Sequence, residues 1–415
     1  MRKVQLQALG VLCAVVLAFG GGIYAGVVGR QQQVVSAADT YVLESAEQPK
    51  DVDMTQFWKA YQLLNQEFVV THASSTFPTK QKQIYGAIKG LTDSFGDPYT
   101  VFLPPSDAQI FQEDVSGSFG GVGMQIDNNA KGQLVVVSPL KDTPAARAGI
   151  RSGDFILQIG TTTTDGISVT DAVKLIRGPK GTPVAIVLMR PGDAPGGGKT
   201  FTVSVVRDTI NIPIINSYKR DDGIFVIELY SFSENSANLF RDALRQFVQS
   251  GDTKLLLNVR GNPGGYLDAA VTMASYFLPV GATVVTEDSQ GKQNNAVHRS
   301  LGYNIFNGNQ NFKMAVLVDQ GSASASEILA GALQQHGVAK LVGTRTFGKG
   351  SVQQLVDIGG GAELKITIAR WLTPNGTSIS DGGLRPDIKV ERSNADITAG
   401  RDPQIDAAVV YLLNN

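Results

Sequence analysis

The sequence predicts a multidomain α/β protein: an N-terminal membrane helix, a helical segment, and a small β-barrel module inserted before an α/β core. Three observations predict it. Behind Arg2 and Lys3 the run Val4 to Gly29 has no charged residue; residues 118–208 break into short apolar strands separated by turn residues; and from Gly223 onward strand and helix patterns alternate. With 42% hydrophobic and 18% charged residues among 415, and a formal net charge of −1, the chain has the apolar content for roughly two to three buried cores. The same balance argues against a disordered chain and against an overall polybasic nucleic-acid binder. Its 46 Gly and 17 Pro follow no G-X-Y period, so they signal turns and not collagen.

Taken in order, residues 1–30 read as a signal anchor. The most apolar part, Ala8 to Gly29, is long enough for a bilayer core of roughly 30 Å, and the charges before it leave the N-terminus in the cytoplasm and send everything after Arg30 outside. A cleaved signal with its cut near Val35-Ser36-Ala37 is the alternative. That site lies well beyond the apolar run, and the run exceeds a usual signal h-region, so a retained anchor is favoured. Residues 31–52 form a polar tether. In residues 53–117 the apolar sets Phe57, Trp58, Tyr61, Leu64 and Ile84, Ile88, Leu91, Phe95 recur at helical spacing, which predicts two or three helices. Gly96-Asp97-Pro98 ends the second set as a turn.

Within residues 118–208 the expected strands are Met124–Ile126, Leu134–Val137, Phe155–Ile159, Val184–Leu188 and Phe201–Val206, with short helices at Pro144–Ala148 and Thr170–Ile176. The segment Pro191–Lys199 is rich in Gly and Pro and reads as a surface connector. Residues 209–392 then carry the alternating pattern. Strands are expected at Phe225–Leu229, Leu255–Val259 and Met314–Val318, with helices over Asn235 to Val248, Tyr266 to Phe277 and after Ser324. Residues 393–415 close the chain as a helical region.

Two Gly- or Ser-rich segments fall at the carboxyl ends of predicted strands, where α/β sheets collect their sites. They are Arg260-Gly-Asn-Pro-Gly-Gly265 and Gly321-Ser-Ala-Ser-Ala-Ser-Glu327. A serine at a strand-to-helix turn faces helix N-terminal N–H groups that favour developing negative charge. Taken alone, Ser324 or Ser326 reads first as a helix N-cap. Glu327 either supports a site or favours the first helical turn, and the second role is the one expected.

A serine nucleophile needs a base. His336 follows Ser324 by 12 positions, about 18 Å along one helix at 1.5 Å per residue, and nothing marks His72 or His298 as a base. A lysine can serve if burial lowers its proton affinity. Lys349, flanked by glycines in Thr346-Phe-Gly-Lys-Gly-Ser351, is the candidate, although by itself it reads as a solvated loop charge. The run Gly343–Lys349 imitates the start of a phosphate-binding P-loop. The next residue is Gly350 and not the Ser or Thr that would hold Mg²⁺, and the following segment reads as a strand. Cys13 is the single cysteine and lies in the apolar run, so neither an intramolecular disulfide nor a thiolate zinc site is expected.

Several motifs in order now resemble one family. Ser322-Ala-Ser324-Ala-Ser-Glu327, Gly348-Lys349-Gly350 with Lys349 25 positions after Ser324, and Gln353 four further on resemble the signature of the carboxyl-terminal processing, or tail-specific, serine proteases. Ile84–Gly90 with Gly96-Asp-Pro-Tyr-Thr100, the Arg260–Gly265 loop, Thr373-Pro-Asn-Gly376 and Leu384-Arg-Pro-Asp387 resemble further segments of that family. Residues 118–208 are similar to its inserted PDZ module, and the core is expected to be crotonase/Clp-like.

The resemblance implies Ser324 as nucleophile, Lys349 as general base and Gln353 as the residue orienting the lysine. It implies an oxyanion hole from Ala325 with Gly264 or Gly265, although the glycines alone fit an ordinary turn. In the module, Gly121, Val122, Gly123 and Met124 are the expected carboxylate-binding loop, with the peptide adding as a strand beside Met124–Ile126. Arg177 either reaches the protease core or is a solvated charge.

The expected function is a membrane-tethered serine endopeptidase that cleaves exported proteins near or from their C-termini. Its partners are proteins or peptides with free apolar C-terminal tails, the membrane, and a second copy of the chain. No metal, organic cofactor or nucleic acid is implied. The expected location is the cell envelope with the catalytic part outside the cytoplasm, or a secreted or periplasmic form if the signal is cut. The alternative from another class is a catalytically silent PDZ adaptor; an acyl-CoA enzyme of the crotonase type would need neither the PDZ module nor a Ser-Lys pair. Self-association is expected through the terminal regions, where Ile405, Val409, Val410, Leu412 and Leu413 supply an apolar face that could equally pack within the monomer.

Overall fold

The computed structural model describes residues 50–71, 77–129, 131–140, 142–192, 198–211 and 213–414. The anchor expected over 1–30 and nearly all of the tether lie outside them. Among the described residues no helix is long and apolar enough to cross a membrane. The chain divides into two units, one ending at Gln83 and the other starting at Ile84.

In the first unit, helix α1 (Thr55–Glu67) follows the predicted apolar period yet buries none of its residues; Trp58 is 53% and Leu64 63% exposed. Asn65 and Gln83 exchange amide hydrogen bonds of 2.9 and 3.2 Å, which join it to the start of α2 (Lys80–Asp93).

The second unit opens within α2, and β1 (Val101–Leu103) and α3 (Pro105–Ser116), the third helix of the N-terminal region, follow. Pro105 at its first position costs no helical hydrogen bond, and Gly117 ends it in the left-handed conformation.

The small module follows: β2 (Ser118–Gly121), β3 (Met124–Asn128), β4 (Leu134–Pro139), α4 (Pro144–Arg147), β5 (Phe155–Ile159), β6 (Thr162–Thr163), α5 (Val169–Ile176), β7 (Pro183–Pro191), β8 (Gly198–Val206) and β9 (Asp208–Asn211). Its antiparallel sheet has the order β3-β4-β5-β7-β8, which leaves β3 at an edge, while β2 pairs with β9. Alternate residues Leu134, Val136, Ile156, Ile186 and Leu188 point into one core with Ala172 and Ile176 of α5. The buried Asp154 carboxylate receives Arg190 Nε at 2.7 Å and Nη2 at 2.8 Å, so the charge is paired where it is desolvated.

The larger domain contains β10 (Ile215–Lys219), β11 (Ile224–Leu229), α6 (Ser236–Gln249), β12 (Lys254–Asn258), α7 (Leu267–Ser275), β13 (Thr283–Asp288), β14 (Ala296–Arg299), β15 (Lys313–Val318), α8 (Ala325–Gln335), β16 (Ala339–Gly343), β17 (Ser351–Asp357), β18 (Glu363–Leu372), β19 (Ile388–Lys389), α9 (Asn394–Thr398) and α10 (Pro403–Asn414). The six-stranded sheet runs β10-β11-β12-β15-β16-β19, parallel except for the β10 edge. One face, with Phe225, Ile227, Leu255, Leu257, Val316 and Leu341, packs under α6, α7 and α8. The opposite face, with Ile224, Val226, Leu256, Ala315, Leu317 and Val342, packs on α10. Both faces are covered, which is why these strands read as continuous apolar runs.

Helix α10 therefore settles the choice left open for the C-terminal apolar residues. Leu412 is fully buried and Ile405 and Val409 pack beside it, so that stripe belongs to the monomer's core; Val410 and Leu413 remain exposed. A second, antiparallel sheet has the order β1-β18-β13-β14 with β17 paired to β18. It pairs Val101–Leu103 with Glu363–Lys365 of β18, a pairing no local pattern announces.

Candidate active site

The nucleophile segment is built at the carboxyl end of β15. Ser324 occupies the N-cap position of α8 with φ 55°, a left-handed conformation that non-glycine residues seldom adopt. The three serines of Ser322-Ala-Ser-Ala-Ser326 divide their work. Ser322 and Ser326 are fully buried, and their hydroxyls donate to Val259 O (2.8 Å) and Asn262 O (2.9 Å) of the neighbouring loop. Ser324 is the partly exposed one.

The Arg260–Gly265 loop lies against this turn. Asn262, fully buried, donates from Nδ2 to Leu229 O (2.8 Å), and its carbonyl accepts from Ala323 N (3.0 Å). At Gly264, with φ 100°, an added Cβ would stand 2.7 Å from Ala323 O, 2.8 Å from Ser324 Cβ and 2.9 Å from Ala325 N. Only glycine fits there. Gly265 stands against Phe232, with which it forms an isolated bridge. The Gly264 N–H donates to Asn262 Oδ1 at 2.9 Å, so this amide is already engaged.

Glu327 is the residue whose importance the sequence reading understated. It lies three residues into the Ser324 turn with 0% exposure, and its carboxylate accepts four hydrogen bonds. Oε1 takes Thr346 Oγ1 (2.6 Å) and Gly348 N (2.8 Å); Oε2 takes Ser324 N (2.9 Å) and Lys349 N (3.0 Å). It thus caps the helix and also fastens the lysine loop to the serine turn, a tertiary role beyond the helical one expected. Burial pushes its proton affinity up, and the four donors oppose that by favouring the charged acceptor.

Lys349 is partly buried, and burial lowers its pKa from the usual lysine range, with the Glu327 charge acting in the other direction. Among the described residues no carboxylate lies within ion-pair distance of its Nζ, which instead sits 5.7 Å from the Tyr99 ring centroid. Its neighbour Gly350 passes so close to Ser380 that a Cβ would lie 2.2 Å from Ser380 N, which explains a glycine beside the lysine. Gln353, on β17, donates to Ser351 Oγ at 2.6 Å. The structure thus brings the backbones of Ser324 and Lys349 together through one carboxylate oxygen, while their side chains, and that of Gln353, share no hydrogen bond.

Tyr99 carried no role in the sequence reading beyond its place in Gly96–Thr100. Asp97 binds the hydroxyls of Thr100 and Thr367, and Thr367 N donates to Thr100 Oγ1 at 3.1 Å, which lays this turn along β18. The two described histidines are engaged elsewhere. His298 pairs with Glu287 at 2.7 Å, and His336 Nε2 lies 2.7 Å from Thr283 O.

In the module, β3 presents a free edge beside α5. The loop before it is rigid: Val122 O accepts from Ala145 N (2.7 Å), and Gly123 O from Leu140 N (2.9 Å) and Thr143 Oγ1 (2.8 Å). Gly121 and Val122 are buried and Met124 is partly buried. Arg177 is neither solvated nor in contact with the parallel-sheet core. Its side chain is 15% exposed, pairs with Asp114 of α3 at 2.6 Å, and covers the Phe119 ring at 4.0 Å.

A small β module with a free strand edge, ahead of an α/β core that carries a serine on a left-handed strand-to-helix turn, is the architecture of a PDZ-bearing serine peptidase. Comparison with known proteins agrees. Residues 223–390 match peptidase family S41, and residues 135–190 match the PDZ domain family. The chain is 35% identical over 330 residues to carboxy-terminal processing protease CtpA of Bacillus subtilis (strain 168), covering 80% of this chain and 68% of that protein. It is 33% identical over 390 residues to CtpB of the same organism, covering 93% and 78%. Among solved structures, the photosystem II D1 C-terminal processing protease aligns with TM-score 0.52 and 30% identity over 80% of this chain and 86% of that one. The chain belongs to the C-terminal processing serine proteases of peptidase family S41.

Proposed function

We propose that this chain is a serine endopeptidase of the Ser-Lys type in which Ser324 is the nucleophile, Lys349 the general base and Gln353 the residue that orients the lysine. The observation that carries the reading is the shared Glu327 Oε2, which binds Ser324 N at 2.9 Å and Lys349 N at 3.0 Å. Ser324 Oγ attacks the scissile carbonyl. Neutral Lys349 takes its proton and later returns it to the leaving amine. The lowered proton affinity of a lysine buried without a counter-ion supports that role.

The developing oxyanion is held by backbone N–H groups. Ala325 opens α8, where helical N–H groups have no partner inside the helix, and Gly265 is the second donor; Gly264, its amide engaged with Asn262, contributes by having no side chain in the cleft.

The PDZ module takes unstructured apolar C-terminal tails of exported proteins. Amides of Gly121, Val122, Gly123 and Met124 hold the terminal carboxylate, and the tail adds as a strand to the β3 edge. The apolar run Ala8–Gly29 supports a membrane anchor that leaves the catalytic part outside the cytoplasm. The exposed apolar face of α1, with Phe57, Trp58 and Leu64, supports self-association of two copies.

One observation favours the adaptor reading: no hydrogen bond joins Ser324 Oγ and Lys349 Nζ. The test is cleavage of an unfolded protein ending in an apolar tail by the full chain and by its Ser324→Ala and Lys349→Ala variants. Cleavage by wild type alone upholds the protease. Tail binding without cleavage by wild type puts the adaptor first.

A further inference from the structure

The segment after Val390 has no place in the reaction described so far, yet two of its side chains hold the first residue of the Arg260–Gly265 loop. Asp402, just before α10, receives the Arg260 guanidinium as a fork, Nη1 on Oδ1 at 3.0 Å and Nη2 on Oδ2 at 3.0 Å. Gln404 Oε1 accepts from the same Nη1 at 2.8 Å, and Gln404 Nε2 donates to Val390 O at 2.9 Å. Asn258 Oδ1 takes Arg260 Nε at 3.1 Å. The side chains of Arg260 and Asp402 are 12% and 17% exposed, and Gln404 is buried. A forked guanidinium–carboxylate pair fixes direction as well as distance. Burial works against the Asp402 charge, but hydrogen bonds from Arg260 and Ile405 N, with the charges of Arg260 and Arg392, hold its carboxyl below the ordinary range.

The loop has two unlike sides. On one it meets the serine turn: Ala323 N and Ser326 Oγ both donate to Asn262 O, and Gly264 stands against Ser324. On the other, Arg260 and Gly261 border an open cleft of about 510 Å³ with Asp319, Thr344, Arg392 and Gln404. There the Arg260 fork and the bond from Gly261 N to Asp319 Oδ1 (2.8 Å) tie the loop down.

We propose that Asp402 and Gln404 are positioning residues for the Ser-Lys reaction: by holding the Arg260 guanidinium they set the loop that presents the Gly265 N–H to the oxyanion. The proposal rests on the dyad and oxyanion reading given above. Without the carboxylate, a guanidinium largely withdrawn from water loses its counter-charge. The arginine then turns toward the cleft, and the loop that begins with it shifts. Such a shift weakens a hydrogen bond made only in the transition state, so it is read in kcat and not in substrate binding. The C-terminal segment thereby serves two ends, since Ala408 and Leu412 of the same helix cover the sheet.

The test is the split of kcat against KM on an unfolded substrate with an apolar tail, together with the affinity of a peptide aldehyde, both with the full chain. In that probe Ser324 Oγ bonds the carbonyl carbon, the hydroxyl proton passes to Lys349, and the oxygen carries its charge into the oxyanion site. Asp402→Asn keeps an acceptor for Ile405 N and removes the charge. Its kcat is expected to fall about ten- to a hundredfold, with aldehyde affinity falling in step and KM held. Asp402→Asn combined with Gln404→Glu returns a carboxylate to the guanidinium and is expected to recover most of the loss. Gln404→Met leaves Asp402 in place and is expected to lower kcat in the same way by less; it carries the test if Asp402→Asn does not fold. A purely structural role lowers Tm and the number of active sites, counted by fluorophosphonate labelling, while kcat per active site and aldehyde affinity stay unchanged. That result overturns the proposal, as does a loss that the relocated carboxylate leaves in full. Failure of the dyad itself shows separately, as cleavage that survives Lys349→Ala.

Discussion

Glu327 Oε2 accepts the backbone N–H of Lys349 at 3.0 Å, so the lysine loop is held by a residue three positions after Ser324 on the nucleophile's own helix. The other bond to that oxygen comes from Ser324 N. A single buried carboxylate therefore fixes the separation of the two loops whose side chains are proposed to react.

Replacing that carboxylate by an amide tests the relationship. In Glu327→Gln one end of the side chain becomes a donor and faces two donors that lose their acceptor. The expected stability loss is on the order of 3 kcal/mol, from two buried or part-buried donors at about 1–3 kcal/mol each. Peptidase activity is expected to fall at least about a hundredfold, because misplacement of reacting groups by about 1 Å has that effect. Thermal melts and kcat measured on folded material check both; an active, equally stable variant removes Glu327 from the site.

Lys349 gives a pH dependence whose sign is fixed by its lowered proton affinity. The active form is the neutral amine, so kcat/KM is expected to rise with pH through a limb below the ordinary lysine value of 10.5. Folding favours the neutral form more than the unfolded chain does. The stability this contributes is complete above the unfolded value and is lost as pH falls through the lowered folded value. Burial penalises the charged form of Lys349, so Lys349→Met, which removes that penalty, is expected to raise Tm while abolishing cleavage. A lower Tm for that variant at pH 7 contradicts the account.

Gly264→Ala puts a methyl group 2.8 Å from Ser324 Cβ and 2.9 Å from Ala325 N, on a backbone with φ 100°. The serine turn has to shift and the proposed oxyanion site is filled. The expected loss in kcat is about a hundred- to a thousandfold, that of losing one oxyanion donor, with binding of a tail peptide unchanged because the clash meets Ala323, Ser324 and Ala325 and no residue of the module. Retained kcat shows that the two loops can part without harm.

The module's loop predicts dependence on a free carboxylate. A peptide with an apolar C-terminal residue is expected to bind, and its C-terminal amide to bind about ten to a hundred times more weakly, since charge-assisted hydrogen bonds to backbone N–H groups are lost. Fluorescence anisotropy with the two peptides decides. Equal affinity places the tail elsewhere than on Gly121–Met124.

The local patterns carried much of this. Period-two and period-3.6 apolar repeats located α6, β11, β12, β15 and every expected strand of the small module, because those elements bury whole faces in cores made of near neighbours. The motifs around Ser324 and Lys349 were legible for a different reason, since strained turns and close approaches demand small residues in fixed spacing. The second sheet was mostly not legible. Its strands are half-covered on both faces, and β1 meets β18 from across the chain, so neither alternation nor proximity marks them.

What the sequence alone determined was the order of the small module and the α/β core, the serine turn, the lysine between glycines, and the family those residues resemble. Tertiary structure decided how they meet. Glu327 accepts hydrogen bonds from residues 21 and 22 positions along the chain, Asn262 and Ser326 close on each other across 64, and Thr367 finds Asp97 across 270. Those distances are set by strand order in two sheets, and a side chain's partner in such a network is fixed by where the backbone returns, which no local periodicity encodes. The same physics placed α10 on the sheet and seated Tyr99 beside Lys349.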